Sequence, residues 1–121
     1  MTNSLDFMAL VEQARGQVRE LSIEEYQQDD GWQLIDVRED HEWLKDRLPL
    51  AKHLSRGILE RDIAKRFPDK SAVLLLYSAG GQRALLAALS LQQQGYRNVA
   101  SLAAPTNCLW YRINAIFSPF C

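Results

Sequence analysis

The segment Ser78-Ala79-Gly80-Gly81-Gln82-Arg83 carries the residue types with most chemical potential in this chain. Gly80 and Gly81 permit positive φ and close approach of backbone N–H groups to a ligand. At the start of a helix, such N–H groups and the positive end of the dipole form an anion-binding nest. Arg83 opposes that dipole, so it calls for an anionic partner, either an internal carboxylate or a ligand. The plainer reading is a strand–helix turn with an exposed arginine. Ser78 adds a hydroxyl, and Ser78-Ala79-Gly80 matches half of the nucleophile-elbow pattern. A hydrolase would need its base from His41 or His53, and neither has a sequence reason to face the loop. Both histidines are expected to be surface or structural residues. Cys108 and Cys121 lie late in the chain, and no Cys/His cluster has zinc-finger spacing. Cys108 is expected to be a small buried core residue rather than a displaced nucleophile.

The elements that would position this loop read as alternating strands and helices. Residues 72–77 are apolar without alternation, which fits a strand buried on both faces. A strong helix follows from Arg83 to about Gln94, with Gly95 as its stop. Residues 32–37 read as a second buried strand, ending at Asp36 and Arg38. Asp36 and Arg38 have two readings, shaping the rim of the site or forming buried structural ion pairs, and the second is favoured. Shorter strands are expected at Glu20-Leu21, His53-Leu54 and 98–102. An amphipathic helix is predicted over 3–18, started by Asn3 or Ser4, with Leu5, Met8, Val11, Ala14 and Val18 on its inner face. Ser22 and Glu25 form a capping box for a helix to about Gln28. Residues 39–45 suit one or two helical turns. Ser55 is placed to cap a helix over 56–66 that turns Ile58, Leu59, Ile63 and Phe67 inward. A last helix is expected around Thr106 to Ala115. This order predicts an α/β fold with a mostly parallel sheet and helices on both faces. Ligands in such folds sit outside the carboxyl ends of the strands, which are the ends of 32–37 and 72–77.

Composition narrows the function classes. A chain of 121 residues with 47% apolar and 24% charged residues suits one globular domain. A formal net charge of -1 gives no electrostatic case for nucleic acid or an anionic membrane as partner. No stretch approaches the roughly 18 apolar residues of a membrane span. No signal peptide is recognised, so a cytoplasmic location is the expectation. Two cysteines do not suggest a disulfide framework.

Several motifs, in order, resemble the rhodanese family. Leu34-Ile35-Asp36-Val37-Arg38-Glu39 with His41-Glu42-Trp43 is similar to the family's opening signature. His53 to Gly57 is similar to the segment after its second strand. Leu76 to Arg83 resembles its active-site loop, and Gln94 to Val99 its next strand entry. The resemblance covers residues 20 to 102. It implies an N-terminal helix over 1–18 and a rhodanese-like domain over 19–121, together one domain. It also implies transfer of sulfane sulfur, from a donor such as thiosulfate to an acceptor such as cyanide or a thiol, through a loop cysteine persulfide. No cofactor is implied.

Ser78 stands where the resemblance places that cysteine. Ala79, Gly80, Gly81, Gln82 and Arg83 correspond to the residues that hold the anion, with Asp36 and Arg38 in support. Glu42 corresponds to a residue that anchors the fold. A serine hydroxyl stays protonated where a thiol ionises, and oxygen forms no stable persulfide equivalent. Related dual-specificity phosphatases have a loop one residue longer, so phosphatase function is not expected. The tail departs too: Leu102-Ala103-Ala104-Pro105 replaces the family's Leu-x-Gly-Gly. The apolar segment after Cys108 is a candidate for a final helix or for self-association. Two function classes follow. One is a sulfurtransferase whose cysteine has been replaced at position 78, acting on thiosulfate or a persulfide donor. The other is a catalytically silent module that binds an anion or a protein partner.

Overall fold

The computed structural model describes residues 3–29 and 31–103. Its centre is a five-stranded, all-parallel sheet in the order β1-β5-β4-β2-β3. The strands are β1 (Arg19–Leu21), β2 (Gln33–Asp36), β3 (Lys52–His53), β4 (Val73–Tyr77) and β5 (Asn98–Leu102). The helices are α1 (Asn3–Arg15), α2 (Ile23–Gln28), α3 (Asp40–Lys45), α4 (Leu59–Arg66) and α5 (Gln82–Gln93).

β4 is central because it can be covered on both sides. Leu74 and Leu76 face one core with Ile35, Val37 and Val99, and Leu75 and Tyr77 face another with Leu34, Ala100 and Leu102. The first core is closed by Val11 and Ala14 of α1, Leu59 and Ile63 of α4, and Leu85, Ala88 and Leu91 of α5. The second is closed by Ile23 and Tyr26 of α2, with Leu48. Helices thus lie on both faces, as the alternating pattern requires.

Some local expectations shift. α1 stops at Arg15, three residues early; Val18 is still buried, but from the turn that follows. Met8 is not on the inner face: it is exposed, as are Phe7 and Leu10. Ser55 does not cap a helix. Leu54 N donates to Asp36 O and Arg56 N to Val37 O, so the chain continues along β2 and turns helical only at Leu59, after Ile58. Leu59, Ile63 and Phe67 are buried as expected, and Ile58 partly so. The Ser22–Glu25 capping box forms in both directions, at 2.8 and 3.1 Å. Gly95 ends α5 with φ 100°, a conformation glycine adopts without penalty. The helix expected around 106–115, the Ala104-Pro105 turn and Cys108 lie outside the described residues, as do the side chains of Asn3, Ser4 and Leu5. No helix among the described residues is long and apolar enough to cross a membrane.

Candidate functional site

The loop from Ser78 to Gly81 leaves the carboxyl end of β4 and enters α5. Alternation along β4 turns Ser78 towards the α5 side of the sheet, where it is buried. Its Oγ accepts from Ala84 N at 3.1 Å, so the side chain sits beneath the first turn of α5. Ser78 thereby satisfies one of the helix's unpaired N–H groups.

Gly81 is the residue before the helix and sits in the left-handed region, at φ 82° and ψ −22°. Gly80 is not in that region, so only one of the two glycines is required by backbone geometry. The backbone N–H groups of Gly80, Gly81, Gln82 and Arg83 donate to no acceptor among the described residues. Gly80 and Gln82 are exposed, so the turn opens to solvent. Unpaired N–H groups at the positive end of a twelve-residue helix are an arrangement that can attract an anion.

Arg83 is not a free surface cation. Its Nη1 and Nη2 donate to Oε1 and Oε2 of Glu42, at 3.0 and 3.2 Å. Glu42 also accepts from Glu39 N at 3.0 Å and closes the first turn of α3. The bond from Arg83 holds the Glu42 carboxyl below its usual range, with the Glu39 amide adding to this against partial burial. The anionic partner that Arg83 requires is therefore an internal carboxylate. The sequence showed that need without showing which carboxylate meets it.

Asp36 and Arg38 form the buried pair that the plainer reading favoured. Arg38 Nε and Nη2 reach Asp36 at 3.1 and 2.9 Å, and Arg38 N donates to Asp36 Oδ1 at 2.8 Å. Arg38 Nη2 also donates to the Asp46 carbonyl at 2.6 Å, and Nη1 donates to the Asp46 carboxylate at 3.3 Å. Tyr77 OH donates to Asp36 Oδ2 at 2.7 Å and accepts from Leu48 N at 3.2 Å. Burial pushes the Tyr77 phenol far up, so it remains a donor at any physiological pH. Tyr77 and Ser78 are consecutive and point to opposite faces, which puts this network behind the sheet from Ser78. It fixes the 38–48 segment that carries α3, and with it Glu42, the partner of Arg83.

His53 is structural, and His41 lies on the surface. His53 stacks on Trp43 with centroids 4.8 Å apart and planes 6° from parallel, and its Nε2 is 2.9 Å from Arg38 O. Arg47 also lies against Trp43, its Cζ 4.1 Å from the ring centroid. His41 is exposed, and neither histidine bonds Ser78. No serine–histidine pair forms at the loop. The stack and the role of Tyr77 were not read from the sequence, because neither follows from spacing along the chain.

The profile of the Rhodanese-like domain matches residues 21–104. No curated protein matches the chain. Among solved structures, one similar to it is a protein of unknown function from Rhodopseudomonas palustris, described as a possible tyrosine phosphatase. The two are 22% identical, with a TM-score of 0.76, over 85% of this chain and 87% of that one. A protein from Helicobacter pylori solved in solution is 27% identical, with a TM-score of 0.61 over 82% and 84%. A thiosulfate sulfurtransferase from Pseudomonas aeruginosa is 24% identical, with a TM-score of 0.67. That match covers 78% of this chain and 18% of the larger protein. Likenesses at this level speak for the fold. The profile match spans well over half of the chain, and the chain belongs to the rhodanese-like domain family.

Proposed function

We propose that this domain binds a small oxyanion, of the thiosulfate or sulfate type, at the 78–83 loop and transfers no sulfur from it. The observation that carries the reading is the position of the Ser78 hydroxyl, beneath the N-terminus of α5 and bonded by Ala84 N. A thiol there would have its thiolate favoured by the helix dipole and by that N–H. A hydroxyl in the same field remains protonated and holds no persulfide. The unpaired amides of Gly80, Gly81 and Gln82 supply affinity for an anion without any covalent step.

Two measurements on the same sample test this. Thiosulfate:cyanide turnover is expected at background, while sulfate or thiosulfate shifts the Gly80, Gly81 and Gln82 amide resonances. A folded domain whose loop amides ignore both anions would remove the cradle. Thiosulfate-dependent turnover with persulfide on Cys108, abolished by Cys108→Ser, would show that a displaced cysteine does the chemistry.

A further inference from the structure

A groove of about 480 Å3 opens at the amino-terminal ends of β2 and β3, at the far end of the sheet from the 78–83 loop. Tyr26, Trp32, Pro49 and Leu50 give it aromatic and apolar walls. Among the described residues, Asp29 is the one charged group lining it, and no lysine or arginine does. Asp29 Oδ1 accepts from Gly31 N at 2.9 Å, and the carboxylate has no cationic partner among the described residues. Leu50, on the rim, is 92% exposed and sits at φ 67°, a disfavoured conformation for a leucine. Trp32 already attracts a guanidinium, with Arg19 Cζ 5.7 Å from its ring centroid.

These features select the occupant by charge. A purely apolar segment would desolvate the Asp29 carboxylate without pairing it, and an acidic one would be repelled. A long aliphatic stem with a cationic head satisfies both parts of the groove. The stem lies on Pro49 and Leu50, and the head meets Asp29 and the aromatic faces. We propose that this groove docks an arginine-bearing segment of a partner protein, independently of what the 78–83 loop binds.

The test titrates the full, isotope-labelled chain with the peptide acetyl-Ala-Leu-Arg-Leu-Ala-amide. A control peptide carries neutral citrulline in place of arginine. The arginine peptide should shift the Trp32 indole N–H and the Gln27, Gln33 and Leu50 amides, and leave Gly80 to Gln82 unmoved. The citrulline peptide should bind about tenfold more weakly. Asp29→Asn retains the oxygen that accepts from Gly31 N and should lose the same factor for the arginine peptide alone. Equal binding of the two peptides would overturn the proposal. So would shifts confined to the 78–83 loop, or no shift at millimolar peptide.

Discussion

Glu42 and Arg83 lie 41 residues apart in the chain and meet in a two-pronged ion pair. The pair joins the first turn of α3 to the first turn of α5. It neutralises the one cation of the 78–83 loop, so the anion binding proposed there would fall mainly to backbone amides. Breaking it should both loosen the loop and free the arginine. Glu42→Gln is therefore expected to tighten sulfate binding while destabilising the fold by up to about 1 kcal/mol, since both side chains are partly solvated. Sulfate titration beside urea unfolding checks the two effects; weaker sulfate binding would show that the pair is needed to shape the cradle.

The same pair sets a pH dependence. Glu42 has a folded pKa below its unfolded value of about 4.3. Its contribution is complete above that unfolded value and is lost as pH falls through the lowered folded value. The Glu42→Gln variant should therefore lose less stability than the parent as pH falls from about 5 through the lowered folded value. Parallel denaturation curves over that range give the comparison; identical slopes would remove the linkage.

Behind the sheet, Tyr77→Phe removes a hydroxyl that donates to Asp36 and accepts from Leu48 N. A buried amide is left without an acceptor, at a cost of about 1–3 kcal/mol. Arg38→Gln leaves the fully buried Asp36 carboxylate short of its cation and should cost more, about 3–5 kcal/mol. Urea midpoints at unchanged slope measure both, and the order Arg38 above Tyr77 is the result to check.

The two loop glycines should behave differently. Gly81→Ala forces a side chain into the left-handed region, which costs roughly 1–2 kcal/mol. Gly80→Ala meets open space at an ordinary φ and should be nearly neutral. Thermal melts of the pair distinguish them; equal losses would contradict the backbone geometry at Gly81.

Much of this architecture was legible because the signals are local. An unbroken apolar run at 73–77, a capping box at Ser22–Glu25 and a glycine stop at Gly95 each specify their element without help from the rest of the chain. Ser55 misled for the opposite reason. It is a good capping residue, but the neighbouring backbone at the end of β2 binds Arg56 N and delays the helix. The same limit applies to the site. The loop, its glycines and the arginine could be read, whereas Glu42 as the partner of Arg83, and the Trp43–His53 stack beside it, depend on how α3 docks. Met8 followed helical spacing, yet the stripe on α1 that packs inward is the one through Val11 and Ala14.

As proposed, the 78–83 loop is an anion cradle of the rhodanese type that lacks only its thiol. Ser78→Cys supplies that thiol. The change replaces one oxygen by one sulfur where Ala84 N already points. The thiol should titrate below the free value of about 8.5 in a pH–alkylation profile. After incubation with thiosulfate, mass spectrometry should find one added sulfur on residue 78. A variant that folds, alkylates like a free thiol and never gains sulfur would contradict a cradle at this loop, because the amides and the α5 dipole would then not be acting on position 78.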